Sequence, residues 1–141
     1  MSKKTGSSYT LGIVIVAYKN EQHIDALVSA LTSQTRTGDK VVIVDNYYPT
    51  HPCAQHLEGH SGVDVVLRLQ NIGFGGGCNA GAAEVIDDVD LLLFLNPDTV
   101  PLPGSLDALR SGGKPEWGGW MGLLTLPDGT VNSAGNAVHI S

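Results

Sequence analysis

The sequence predicts an α/β fold with a largely parallel sheet, and three observations carry that prediction. Leu11–Ala17 and Val41–Val44 are continuous apolar, β-branched runs, as buried strands require, and Leu91–Leu95 is a further unbroken apolar run. Apolar residues at helical spacing separate the first two runs, and helix-like and strand-like segments alternate along the chain instead of clustering. At 141 residues, 42% of them apolar and 16% charged, the chain has the size and composition of one domain with a proper core.

Taken in order, Met1–Thr10 runs from Lys3 and Lys4 into Gly, Ser and Thr and is expected to be a flexible tail ahead of a domain over residues 11–141. Leu11–Ala17 is the first strand. Asn20 then offers a helix cap, Glu21 suits a positive helix N-terminus, and Ile24, Leu27, Val28 and Leu31 fall at i, i+3, i+4 and i+7. Thr37-Gly38-Asp39 breaks that helix, and Val41–Val44 follows as a second strand ending in Asp45 and Asn46, which completes a βαβ unit. Tyr47–Gly62, with two prolines, three histidines and no sustained period, predicts a loop with room for a short helical turn. Val63–Leu69 alternates as a third strand, Asn71–Asn79 is glycine-rich, and Ala80–Ile86 is a short helical candidate. Leu91–Leu95 is a fourth strand, stopped by Asn96-Pro97-Asp98 because proline cannot donate to a ladder. Leu102, Leu106 and Leu109 mark a further helix after Pro101 and Pro103. The last third is loop-rich, with glycines around Trp117 and Trp120 that would shape a site, and Leu123–Leu126 and Thr130–Asn132 flank a Pro127-Asp128-Gly129 hairpin turn.

Eight Lys and Arg against 14 Asp and Glu give a formal charge of −6, which argues against a nucleic-acid surface built on phosphate neutralisation. No apolar run approaches the roughly 20 residues needed to cross a bilayer, and the N-terminus lacks the apolar segment of a secretory signal. A cytoplasmic protein is expected. Cys53 and Cys78 are too few for a disulfide scaffold and are expected to stay unpaired.

Four stretches could carry chemistry. Asp45-Asn46 closes the second strand, where ligands of open parallel sheets sit; a ligand contact and a loop-capping turn are both open readings. Asn71–Gly81 places Gly73, Gly75, Gly76 and Gly77 before a helix, where main-chain N–H groups can approach a diphosphate. Its Gly75, Gly77 and Ala80 also satisfy a dinucleotide fingerprint in form, though after the third strand instead of the first. Asn96-Pro97-Asp98-Thr99 follows the most apolar strand, and a carboxylate fixed there can hold a hard divalent cation together with substrate phosphates. His51, Cys53, His56 and His60 superficially offer zinc ligands, but their spacing matches no usual framework and a solvated loop is the better reading.

Asp45, the glycine stretch and Asn96–Asp98 fall at successive strand ends, and in that order the chain resembles family 2 glycosyltransferases with the GT-A fold. Within them it is most similar to the rhamnosyltransferase-like group. The resemblance runs through Ile13–Asn20, Val42–Asn46, Asn71–Gly81, Leu95–Thr99 and Leu126–Thr130. It implies an inverting hexosyltransferase that moves a sugar from a nucleotide-diphosphate donor to an acceptor hydroxyl. Rhamnose is the preferred sugar, and the acceptor is a glycan or lipid-linked glycan of cell-wall or polysaccharide biosynthesis at the inner membrane face. By the same resemblance Ala17, Tyr18 and Asp45 would frame the nucleobase, and Gly75, Gly76, Gly77 and Asn79 would line the diphosphate. Asn96 and Asp98 occupy the family's D-x-D place, so Asp98 with Asn96 would bind Mg²⁺ or Mn²⁺. Asn96 departs from the acidic residue usual there. Relatives of this kind continue well beyond this length, so the chain reads as a donor-binding half, and no general base is nominated among Asp87, Asp88, Asp90 or Asp128. An NAD(P)-binding Rossmann module and a non-catalytic interaction domain stay open beside this reading. An open hairpin edge suggests homo-oligomers.

Overall fold

The computed structural model describes residues 8–46, 49–50, 52–60, 62–114 and 116–134. Strands β1 (Leu11–Ala17), β2 (Lys40–Asn46), β3 (Val63–Arg68) and β4 (Leu91–Leu95) form a parallel sheet in the order β3-β2-β1-β4. Helices α1 (Ile24–Thr32), α2 (Gly73–Ala83) and α3 (Ser105–Gly112) flank it, and β5 (Leu124–Thr125) pairs with β6 (Val131–Ser133) in a separate antiparallel hairpin.

All seven residues of β1 are buried, as its unbroken apolar run requires of a central strand. Alternation splits the sheet into two faces. Leu11, Ile13, Ile15 and Ala17 of β1 with Val41 and Ile43 of β2 pack under Ile24, Leu27, Val28 and Leu31 of α1 and Leu106 of α3. Val14, Val42 and Val85 form the smaller core on the opposite face, where α2 lies against Val14 and Val16. Both registers place strand C-termini side by side, Ala17 opposite Asp45 and Asn46 opposite Arg68.

Several expectations change. The stretch Asn71–Asn79 is not a loop leading to a helix over Ala80–Ile86, because α2 already begins at Gly73 and ends at Ala83. Glycine's poor helix propensity is overridden by packing. A Cβ on Gly77 would stand 2.6 Å from Val16 Cγ1 and one on Gly81 2.5 Å from Val14 Cγ1, so this i, i+4 pair lets the helix lie close against β1. Asn20 does not cap α1, which starts at Ile24. Its side-chain oxygen accepts the Tyr18 N–H at 2.9 Å, and its carbonyl accepts the His23 N–H in an intervening turn. Leu102 lies outside α3 and is exposed, since Gly104 in the left-handed region (φ 84°) begins that helix later.

The segment after β2 is more than a solvated loop. It carries a 3₁₀ turn at Gln55–Leu57, and Cys53, Ala54 and Leu57 are buried in the main core. Of the expected tail, Met1–Ser7 lie outside the described residues, while Thr10 donates to Asp90 through its main chain and its hydroxyl. No disulfide joins Cys53 and Cys78. Trp120 packs its ring against Gly113 and donates to the Leu109 carbonyl, whereas Trp117 is exposed beside Lys114. Among the described residues no helix is long and apolar enough to cross a membrane.

Candidate functional site

In an open parallel sheet a crevice forms where the strand order reverses, beyond the strand C-termini. Here β2 and β4 leave β1 on opposite sides. At that position lies a cavity of about 350 Å³ lined by Val16, Tyr18 and Asn20 after β1, Asn46 of β2, Asn71, Gly73 and Phe74 at the start of α2, and Asn96, Pro97 and Asp98 after β4. A larger open groove of about 570 Å³ lies at the other end of the sheet, along Asp39, Lys40, Val63 and Val65. Two of its charged groups are engaged, Asp39 with Arg110 and Lys40 with Asp88.

Asn46 builds the cavity wall. It is buried, its Nδ2 donates to Asn71 Oδ1 at 3.1 Å and to the Gly73 carbonyl at 3.2 Å, and its Oδ1 accepts the Ile72 N–H at 3.1 Å. The end of β2 is thereby tied to the start of α2. Asn71 Oδ1 also accepts the Gly73 N–H, the residue that enters the helix at φ 75°. Phe74, on the next position, leaves 57% of its surface exposed at the cavity lip.

Asp45 and Asn46 point to opposite faces, as neighbours in a strand must. Asp45 is fully buried on the α1 side, where its Oδ2 accepts the main-chain N–H groups of Cys53 and Ala54 at 2.8 and 2.7 Å. Its Oδ1 is buried without a hydrogen-bond partner. Cys53 Sγ in turn accepts the Asn20 N–H at 3.4 Å, and burial, with Asp45 and Glu21 nearby, pushes its thiol above the ordinary range. A relay thus runs from Asp45 through Cys53 and Asn20 to the turn after β1.

Of the residues nominated from sequence, Tyr18, Asn96 and Asp98 meet in this one cavity. Ala17 is buried at the end of β1, Asp45 lies behind the sheet, and Gly77 is covered by Val16. Gly75, Gly76 and Asn79 ride on the first turns of α2 outside the lining. Asn46, Asn71 and Phe74 lie in the stretches singled out from sequence without a role of their own, and Asn20, read there only as a helix cap, is the lining residue for which an amide side chain at a strand end was the available signal. The dinucleotide fingerprint does not form its strand-to-helix turn, because Gly75, Gly77 and Ala80 all lie inside α2.

The metal question turns on Asp98 and Asn96. Both side chains are exposed at the end of β4, with the Asn96 carbonyl fixed by the Thr99 N–H and hydroxyl. Among the described residues no group of three or more His, Cys, Asp or Glu could hold an ion. His51 lies outside the described residues, and His56 pairs with Asp25 at 2.6 Å. One carboxylate with one amide oxygen suits a hard cation that takes most of its shell from a bound phosphate ligand.

The profile of the family described as Glycosyl transferase family 2 matches residues 12–110. Among solved structures, the chain is similar to the crystal structure of S. aureus TarS 1-349, with a TM-score of 0.59 at 19% identity. The match covers 72% of this chain and 31% of that one, so the chain spans about a third of that structure's length. No protein with a curated description matches the chain.

Proposed function

The chain belongs to glycosyl transferase family 2, and from that premise we propose that it forms the donor-binding part of an inverting glycosyltransferase acting on a nucleotide-diphosphate sugar. Its largely parallel sheet flanked by helices is the GT-A arrangement. One observation carries the reading: the ends of β1 and β4, with Asn46 of β2 and the start of α2, converge on a single cavity that holds Tyr18, Asn96 and Asp98. Tyr18 offers a ring to the nucleobase. The start of α2, set close to β1 by Gly77 and Gly81, presents main-chain N–H groups and a positive dipole end to the diphosphate.

Ala17, Asp45, Gly75, Gly76, Gly77 and Asn79 support that pocket from behind and beside it. Asp98 with Asn96 would hold Mg²⁺ or Mn²⁺, which when bound supplies Lewis-acid stabilisation of the departing nucleoside diphosphate. Inversion further requires a base for the acceptor hydroxyl. None is assigned here, since Asp88, Asp90 and Asp128 are bonded to Lys40, Thr10 and Thr130 respectively. Within this reading dTDP-rhamnose is the preferred donor, supported by the resemblance of Gly73-Phe74-Gly75 and Asn96-Pro97-Asp98 to the rhamnosyltransferase-like group, and a glycan or lipid-linked glycan is the acceptor, supported by the family.

Calorimetric titration of dTDP, UDP, GDP and NAD into the folded chain, with and without Mn²⁺, tests the proposal. Binding of one nucleoside diphosphate that requires Mn²⁺ and is lost in Asp98→Ala is the expected result. Metal-independent NAD binding would replace it with a dinucleotide-binding role.

A further inference from the structure

Lys19 stands in the left-handed region at φ 56°, and it is the one non-glycine residue at positive φ among the described residues. A lysine has no local reason to be there. Glycine is free of the Cβ clash, and asparagine tolerates it through local hydrogen bonding, so either would make the same turn with less strain. The turn itself is held from outside. Asn20 Oδ1 accepts the Tyr18 N–H on one side, Cys53 Sγ accepts the Asn20 N–H on the other, and Asp45 anchors Cys53 from below. Backbone strain kept in place by surrounding bonds is typical of residues whose side chain has a task.

The position of the side chain suggests the task. Tyr18 and Asn20, its two neighbours, both line the cavity, and the exposed Lys19 places its ammonium 5.3 Å from the centroid of the Tyr18 ring, a lining residue. The lining itself contains amides, apolar groups and the Asp98 carboxylate, and no Lys or Arg. A diphosphate entering such a cavity meets no positive side chain within it. Other described cations are committed elsewhere: Arg36 to Asp107, Lys40 to Asp88, Arg110 to Asp39, and Lys114 over Trp117. Arg68 ends β3 opposite Asn46; like Lys19 it stands outside the lining, but its Nε is buried, whereas Lys19 is exposed.

We propose that Lys19 is a binding residue for the anionic part of the nucleotide donor, held in a strained turn so that its ammonium swings between the Tyr18 ring and the diphosphate. The ring is the resting place, since a cation over an aromatic face is weakly stabilised, and the ligand's charge-assisted hydrogen bond is the stronger partner. This inference rests on the donor-binding reading above.

The test uses whichever of UDP, dTDP or GDP binds the wild-type chain with Mn²⁺. Lys19→Asn should melt at or above the wild-type temperature, because it relieves the turn, while its affinity for that diphosphate falls about five- to tenfold. Lys19→Met, which keeps the stem and removes the charge, should show the same loss, and both should flatten the salt dependence of binding. Lys114→Gln should bind as wild type. Wild-type affinity and salt dependence in both Lys19 variants, with binding still lost in Asp98→Ala, would overturn the role of Lys19 and leave the donor cavity standing. A wild-type chain that binds none of the three diphosphates would overturn the donor reading, and this inference with it.

Discussion

Arg110 and Asp39 are both almost fully buried and meet in a two-pronged pair, Nη1 to Oδ1 and Nη2 to Oδ2 at 2.8 Å each. Asp39 also accepts the N–H groups of Leu11 and Arg36, and Arg110 donates to the Tyr9 carbonyl, so one pair fastens the starts of β1 and β2 to α3. Burial alone would raise the Asp39 pKa. The Arg110 hydrogen bonds and the two main-chain donors outweigh it and hold the carboxyl below its usual value of 3.8. A depressed carboxylate contributes stability that is complete above the unfolded pKa and is lost as pH falls through the folded one. The urea midpoint should therefore drop below about pH 4 more steeply in wild type than in an Asp39→Leu/Arg110→Met double variant. Removing one partner, as in Arg110→Ala, should cost about 3–5 kcal/mol by denaturant unfolding, because a buried charge is left alone. Asn46→Ala at the other end of the sheet strands the Ile72 N–H and the Gly73 carbonyl, and an expected loss of about 1–3 kcal/mol should come with weakened nucleotide binding in the same titration.

At the scale of elements, α2 decides the site. Its glycines have separate duties that only position reveals. Gly77 and Gly81 face Val16 and Val14 at contact distance, whereas Gly75 has nothing within 4 Å of where a Cβ would stand. Gly81→Ala should overpack the helix–sheet contact and destabilise by about 1–3 kcal/mol, tilting the helix start away from the cavity. Gly75→Ala should instead stabilise by about 0.5–1 kcal/mol through helix propensity. Equal melting temperatures for the two variants would remove close packing as the reason for the glycine pair.

Across the whole molecule the charged and apolar surfaces are unevenly spread. β4 has β1 on one side and no described strand on the other, and it carries no charge that would guard an edge. Phe94 is 46% exposed, and the hairpin adds exposed Leu124, Leu126 and Val131. Concentration-dependent self-association is the expected consequence, visible as a shift in light-scattering mass with dilution. Val131→Lys should reduce it if the hairpin takes part, and an unchanged mass profile would assign the contact to another surface.

Part of the fold follows from local chemistry alone. Leu11–Ala17 is a strand covered on both faces because its unbroken apolar run leaves both faces to cover, Leu91–Leu95 is a strand by the same apolar run, and Pro97 ends its ladder in any context. The position of Asp98 and Asn96 at a strand end follows from that. Tertiary structure decided the rest. The helix formed by a glycine-rich stretch lies close on β1 because Val14 and Val16, far away in the chain, leave room only for glycine at positions 77 and 81. Asp45 and Asn46 face opposite sides by strand alternation alone, but distant partners make one the anchor of a turn and the other the wall of a cavity. Arg110 found Asp39 across 71 positions, and Lys19 was held at positive φ beside Asn20, which Cys53 anchors from 33 positions away. Each of these outcomes depends on a contact between distant residues, and such contacts exist only once the sheet has brought its strand ends together.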